Sequence, residues 1–122
     1  MTSSPAQRSI VGREAEDLAA RSLASSGWVI LSRNLRLGRL EVDLLARDPR
    51  GSLVAIEVRR RAFLGAATPA ELLGSRKMGA LRRQRAHLSE GCRIDLLLIV
   101  GRPGKERLRL IRGVAQGLGA PC

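Results

Sequence analysis

Four ionisable residues fall on two short segments at a spacing that can do chemistry: Glu41 and Asp43 in LEVDLLA, Glu57 and Arg59 in SLVAIEVRR. Both segments alternate in the two-residue period of a strand. Between them Asp48-Pro49-Arg50-Gly51 is turn chemistry, with proline at the second position. Centring that turn near Arg50 gives an antiparallel hairpin with Asp43 opposite Glu57 and Glu41 opposite Arg59, all four on one face. Directly opposed residues have Cβ atoms about 4.5–5.5 Å apart, and two carboxylates that close disfavour each other's charged form. A fold tolerates such a pair if one is protonated, if both are solvated, or if a divalent cation lies between them. Hard oxygen donors suit Mg2+ or Mn2+, and one or two carboxylates plus phosphate oxygens is the usual magnesium arrangement. Such a cation can polarise a phosphate and activate a water for hydrolysis. The alternative is that Asp43 and Glu57 line the wet face of a half-exposed sheet. Leu45, Leu53 and Ala55 on the same face argue instead for partial cover.

Other elements must position this hairpin. A helical pattern runs from about Val11 to Ser26, with Ala15, Leu18, Ala19, Ser22 and Leu23 on one face and Gly27 as its stop. Glu16 falls at the border of that face, within reach of a site at the helix edge. Residues 1–9 read as loose. Trp28-Val29-Ile30-Leu31 reads as a buried strand and Asn34 to Gly38 as a bend. After the hairpin, Thr68, Pro69 and Glu71 have the form of a helix start, with threonine as cap. Gly74 and Ser75 interrupt that helix before a longer one from about Arg76 to Glu90, which Gly91 ends. Ile94 to Val100 is apolar throughout apart from Asp95, as in a central strand covered on both faces. Residues 107–112 alternate like an edge strand, and the last nine form a frayed tail. The order α-β-β-β-α-β-β, without repeats or linkers, describes one α/β domain over 1–122 with its core at about 10–113.

The charge is unevenly spread. The 122 residues hold 22 Lys+Arg and 11 Asp+Glu, a net charge of +11. Residues 1–57 are nearly balanced at +1, whereas residues 58–122 hold +10. Such an excess favours a polyanion, most often nucleic acid, through phosphate contacts and counterion release. Arg60, Arg61, Arg76, Lys77, Arg82, Arg83 and Arg85 form the densest basic segment, directly after the carboxylate hairpin. The plainer reading of those residues is a solvated helix face, and for Lys77 it is the preferred one. With no Tyr, one Phe and one Trp, base stacking is nearly excluded as a binding mode. His87 is a lone helix histidine with no ligand pattern around it. No apolar run approaches the length of a membrane span, and Cys92 and Cys122 make neither a disulfide framework nor a metal quartet. A cytoplasmic protein without membrane or small-molecule cofactor is expected; oligomeric state is left open.

The strings GREAEDLA at 12–19, GWVILSRNLR, LEVDLLA, AIEVRRR, the later Lys77 and RIDLLL at 93–98 resemble the YraN-like bacterial family over about residues 8–98. That family is assigned to the restriction-endonuclease-like, PD-(D/E)XK nuclease superfamily. The resemblance implies a mixed sheet of four to five strands flanked by helices. It also implies Asp43 and Glu57 as metal ligands, Glu16 as a helix-borne acid at the same site, and Mg2+- or Mn2+-dependent hydrolysis of DNA. Two positions depart from the pattern. Leu40 stands where a glycine usually precedes the glutamate, and Arg59 where the superfamily has a lysine that orients or activates the attacking water. A guanidinium stays protonated, so Arg59 is no base, although it can hold a phosphate bidentately or pair with Glu41. A degenerate nuclease fold that only binds nucleic acid, and a basic module for an acidic protein partner, are the competing expectations.

Overall fold

The computed structural model describes residues 5–38, 40–62, 68–88 and 92–114. Helix α1 (Pro5–Ser25) opens the chain. Ala15, Ala19 and Leu23, four residues apart, are buried along one stripe and pack on the sheet. The helix starts well before Val11 because Pro5 suits a first helical turn, where its missing N–H is no loss. The loose segment expected over 1–9 is therefore corrected for residues 5–9, and residues 1–4 lie outside the described residues. Gly27, at φ +90, ends the helix in a left-handed turn that lets Trp28 N donate to Leu23 O at 3.1 Å.

Five strands follow: β1 (Val29–Leu37), β2 (Leu40–Arg47), β3 (Leu53–Arg61), β4 (Arg93–Val100) and β5 (Arg107–Ile111). They form one sheet in the order β1-β2-β3-β4-β5. Only β3 and β4 run parallel; the other neighbours are antiparallel. The parallel pair is joined by a crossover containing α2 (Pro69–Leu73) and α3 (Ser75–Leu88). Thr68 caps α2 as its sequence implies, accepting from Glu71 N and bonding the Glu71 carboxylate in return. Gly74 separates the two helices. Val114, expected to open the frayed tail of 114–122, instead packs on the core and donates its N–H to Ile94 O at 2.9 Å; Gly91 and residues 115–122 lie outside the described residues.

Helices cover both faces of the sheet. On one, α1 packs with Trp28, Leu44, Ala46, Val54, Ile56, Val58, Leu97 and Ile99. On the other, α2 and α3 supply Leu72, Leu73, Met78 and Leu81, packed with Val42, Ala55, Cys92, Ile94, Leu96 and Leu98. Among the described residues no helix is long and apolar enough to cross a membrane.

Strand β1 corrects two expectations. It runs on past Asn34, whose left-handed backbone (φ +53) interrupts the pairing at that residue alone, and the ladder resumes at Leu35↔Val42 and Arg36↔Glu41. It is also an edge strand rather than a buried one. The register shifts between Ile30 and Ser32, leaving Leu31 as an extra residue, and Val29 and Leu31 are 58% and 48% exposed.

At the end of the sheet where β4 begins, Arg93 ties three segments together. It donates twice to Asp95 and once to Asp48, and its guanidinium lies 6.0 Å from the centroid of the Trp28 ring. Asp48 also accepts from the N–H groups of Arg50 and Ser52 in the β2–β3 turn, and Asp95 from Gly113 N after β5. Removing one member of a buried ion network strands the others without a counter-charge. Arg93→Met should therefore lower the unfolding free energy by about 3 kcal/mol in urea titration; a loss below about 1 kcal/mol would mean the network does not hold this end together.

Candidate active site

The hairpin register is the one the turn predicts: Leu44↔Ile56, Leu45↔Ala55, Ala46↔Val54 and Arg47↔Leu53. The ladder then stops. Asp43 does not continue it to Glu57; its Oδ2 accepts from Val58 N at 2.8 Å. On the other side the β1–β2 ladder passes from Arg33↔Leu44 to Leu35↔Val42, skipping Asn34 and Asp43. Val42 and Leu44 would share a face in a regular strand, yet they join opposite core layers. Strand β2 thus turns over at Asp43, which stands in a fork where neither neighbouring strand pairs with it.

Three carboxylates meet at the fork. Single oxygens of Glu16, Glu41 and Asp43 lie within 4.8 Å of one another. Glu16 comes from α1, as its place at the helix border implies. Glu57 lies further along β3, 2% exposed, outside that trio but close enough for Asp43 to act on its charge. Its Oε1 accepts from Arg59 NH1 at 2.5 Å, and Lys77 Nζ stands 3.5 Å from its Oε2. That Oε2 is buried without a hydrogen-bond partner, as is Glu16 Oε2.

Two expectations change here. Arg59 pairs with Glu57 on its own strand instead of crossing to Glu41, because the fork removes the register that would have set them opposite. Lys77 is no solvated helix lysine: its Nζ donates to Glu41 O at 2.9 Å, reaching from α3 into the site. The sequence carries a signal for this, since only two of its 22 basic residues are lysines. Glu41 likewise joins the acids rather than serving Arg59.

Burial and mutual repulsion show in the acidities. Burial, reinforced by the Asp43 charge, raises Glu16, with Asn34 offsetting part through a hydrogen bond. Burial also raises Asp43, against the opposing Val58 N–H and the Lys77 and Arg59 charges. Glu57 is pushed up to about 7, by burial first and Asp43 second, although Arg59 and Lys77 pull it down.

The expected basic face is dispersed. Arg60 pairs with Glu106 at 2.7 Å, and Arg61 donates to Leu72 O at the end of α2 and to Arg60 O. Both are occupied in holding the fold. Arg76 and Arg83 are exposed on α3, Arg82 is half-buried there, and the side chains of Arg85 and His87 lie outside those described.

A family model described as Uncharacterised protein family UPF0102 matches residues 15–99. The chain belongs to the UPF0102 family. The matched stretch includes Glu16, Glu41, Asp43, Glu57, Arg59 and Lys77, so the whole carboxylate site lies inside the UPF0102 region. A UPF0102 protein of Frankia casuarinae is 41% identical over 112 residues, covering 84% of this chain and 93% of its own length. Another, from Dechloromonas aromatica, is 41% identical over 95 residues, 74% of this chain and 78% of that protein. One from Chlorobaculum parvum is 36% identical over 104 residues, 80% of each chain.

The raised pKa of Glu57 sets a pH dependence. Its folded value of about 7 exceeds the ordinary 4.5, so the folded chain binds the extra proton between those values. The group's contribution to stability is full below pH 4.5 and is lost as pH rises through 7. Glu57→Gln removes that loss. In metal-free buffer the variant's stability should gain on the wild type by roughly 2–3 kcal/mol between pH 5 and 8. Thermal melts across that range check it; a constant difference would contradict it.

Proposed function

We propose that this protein is a nuclease of the restriction-endonuclease-like PD-(D/E)XK type, hydrolysing phosphodiesters in DNA with a divalent cation. The observation that carries the reading is Glu57 Oε2, a carboxylate oxygen buried beside other acids without a hydrogen bond. The Lys77 ammonium 3.5 Å away balances part of its charge without a hydrogen bond, and a bound cation would supply the direct contact that the buried oxygen lacks. The donors gathered here are all carboxylate oxygens, the chemistry that suits Mg2+ or Mn2+. Asp43 and Glu57 are the residues that would hold the ion, with Glu16 and Glu41 beside them. When bound, such an ion acts as a Lewis acid on a phosphoryl oxygen and acidifies a water.

The chain's own residues supply the remaining chemistry. The Val58 N–H fixes the direction of the Asp43 carboxylate. Arg59 holds Glu57 through one N–H and can offer others of its five to a phosphate. Lys77, anchored on Glu41 O and 3.5 Å from Glu57 Oε2, brings a compact ammonium to the site and takes the water-orienting place left open by Arg59. The positive excess of residues 58–122 selects a polyanionic substrate.

Arg59 favours a second reading, in which the fold binds nucleic acid without cutting it. Cleavage and binding of duplex DNA by the wild type and Asp43→Ala, with Mg2+ or Mn2+, separate the two. The proposal expects metal-dependent cleavage that falls at least about 100-fold in the variant, the scale of losing one major transition-state contact, with affinity equal or higher. Unchanged cleavage by Asp43→Ala would remove the site assignment. Binding by the wild type without cleavage in either metal would leave the second reading, and no binding at all would overturn both.

A further inference from the structure

The register sets Arg36 of β1 directly opposite Glu41 of β2, so the two share a face at the mouth of the carboxylate cluster. Arg36 is exposed, and among the described residues nothing pairs with it. Arg33, three residues earlier on the same strand, is tied to Asp17 of α1. Glu41 therefore has Lys77 of α3 on its carbonyl and Arg36 across the ladder. Arg76, adjacent to Lys77, is exposed and equally unpaired. Arg36 thus stands across the ladder from one of the clustered acids, and Arg76 immediately precedes the α3 residue that reaches the same Glu41, both with side chains in solvent and no partner among the described residues. The aromatic inventory decides what they meet. Trp28 is buried in the α1 layer at the opposite end of the sheet, and the single Phe lies outside the described residues. Among the described residues there is then no exposed ring on which an unpaired base could stack.

We infer that Arg36 and Arg76 grip the sugar-phosphate backbone of double-stranded DNA on either side of the carboxylates, while Arg60 and Arg61 take no part in binding. This rests on the nuclease reading above and names the substrate class and contacts of that same site. The bases stay paired because the contacts are to phosphates, which fix position without reading sequence.

The test is the salt dependence of affinity for a labelled DNA duplex, measured by fluorescence anisotropy without divalent metal. Each phosphate contact contributes about 0.9 to the slope of log K against log salt. Arg36→Ala and Arg76→Ala should each make the slope shallower by about that amount and weaken binding several-fold at low salt. Arg50→Ala, an exposed arginine in the β2–β3 turn at the far end of the sheet, should leave the slope unchanged. A wild-type slope in Arg36→Ala, or an equal loss in Arg50→Ala, would overturn the assignment, as would tighter binding of single strands than of duplex. Absence of DNA binding by the wild type would instead remove the functional reading beneath it.

Discussion

The bond from Val58 N to the Asp43 carboxylate sits where β2 and β3 part, and much of the site's construction depends on it. A β3 backbone N–H that a continuing ladder would give to β2 goes to a side chain instead. Because that donor is satisfied, the ladder can end inside the sheet without an orphaned backbone group. Strand β2 is then free to turn over, which sends Val42 to the α2–α3 layer and Leu44 to the α1 layer. On the β1 side the same turn is met by the left-handed backbone of Asn34, a residue type that adopts it at little cost. Only with the strand so twisted do Glu16 of α1 and Glu41 come within reach of Asp43.

The two ends of the sheet treat their acids in opposite ways. Asp48 and Asp95 are buried, but each has Arg93 and at least one backbone N–H, and burial's push on Asp48 is outweighed so that its pKa is lowered. At the fork, the pKa values of Glu16, Asp43 and Glu57 are all raised, by burial first, and for Glu16 and Glu57 by the Asp43 charge as well. One end ties its two carboxylates to a shared guanidinium and to backbone N–H groups. The other is left short of positive charge, and that shortage is the electrostatic character of the site.

The hairpin was legible because its register follows from local turn chemistry, and the cap at Thr68 because it needs only four consecutive residues. The same local logic failed at Asp43. A regular ladder puts Asp43 opposite Glu57 and Glu41 opposite Arg59, whereas a side chain bonding to a backbone N–H fifteen residues away cancels that register. Lys77 was misread for a related reason: its place beside Glu41 and Glu57 is set by the crossover, not by its neighbours on the helix. Strand β1 looked buried because Val-Ile-Leu satisfies an interior strand and a bulged edge equally well. Arg93 was hidden because its partners, Asp48 and Asp95, come together only when β4 inserts beside β3.

That crossover also governs the order in which the site can assemble. The β2–β3 hairpin closes a short loop, so its carboxylates can approach early in folding at small entropic cost. Lys77 meets Glu41 across 36 residues of chain, a contact available once α3 is laid down and β4 has paired with β3. Until then the acids of the fork lack the ammonium that α3 brings. The site is therefore complete only when the crossover and the parallel β3–β4 pair are in place.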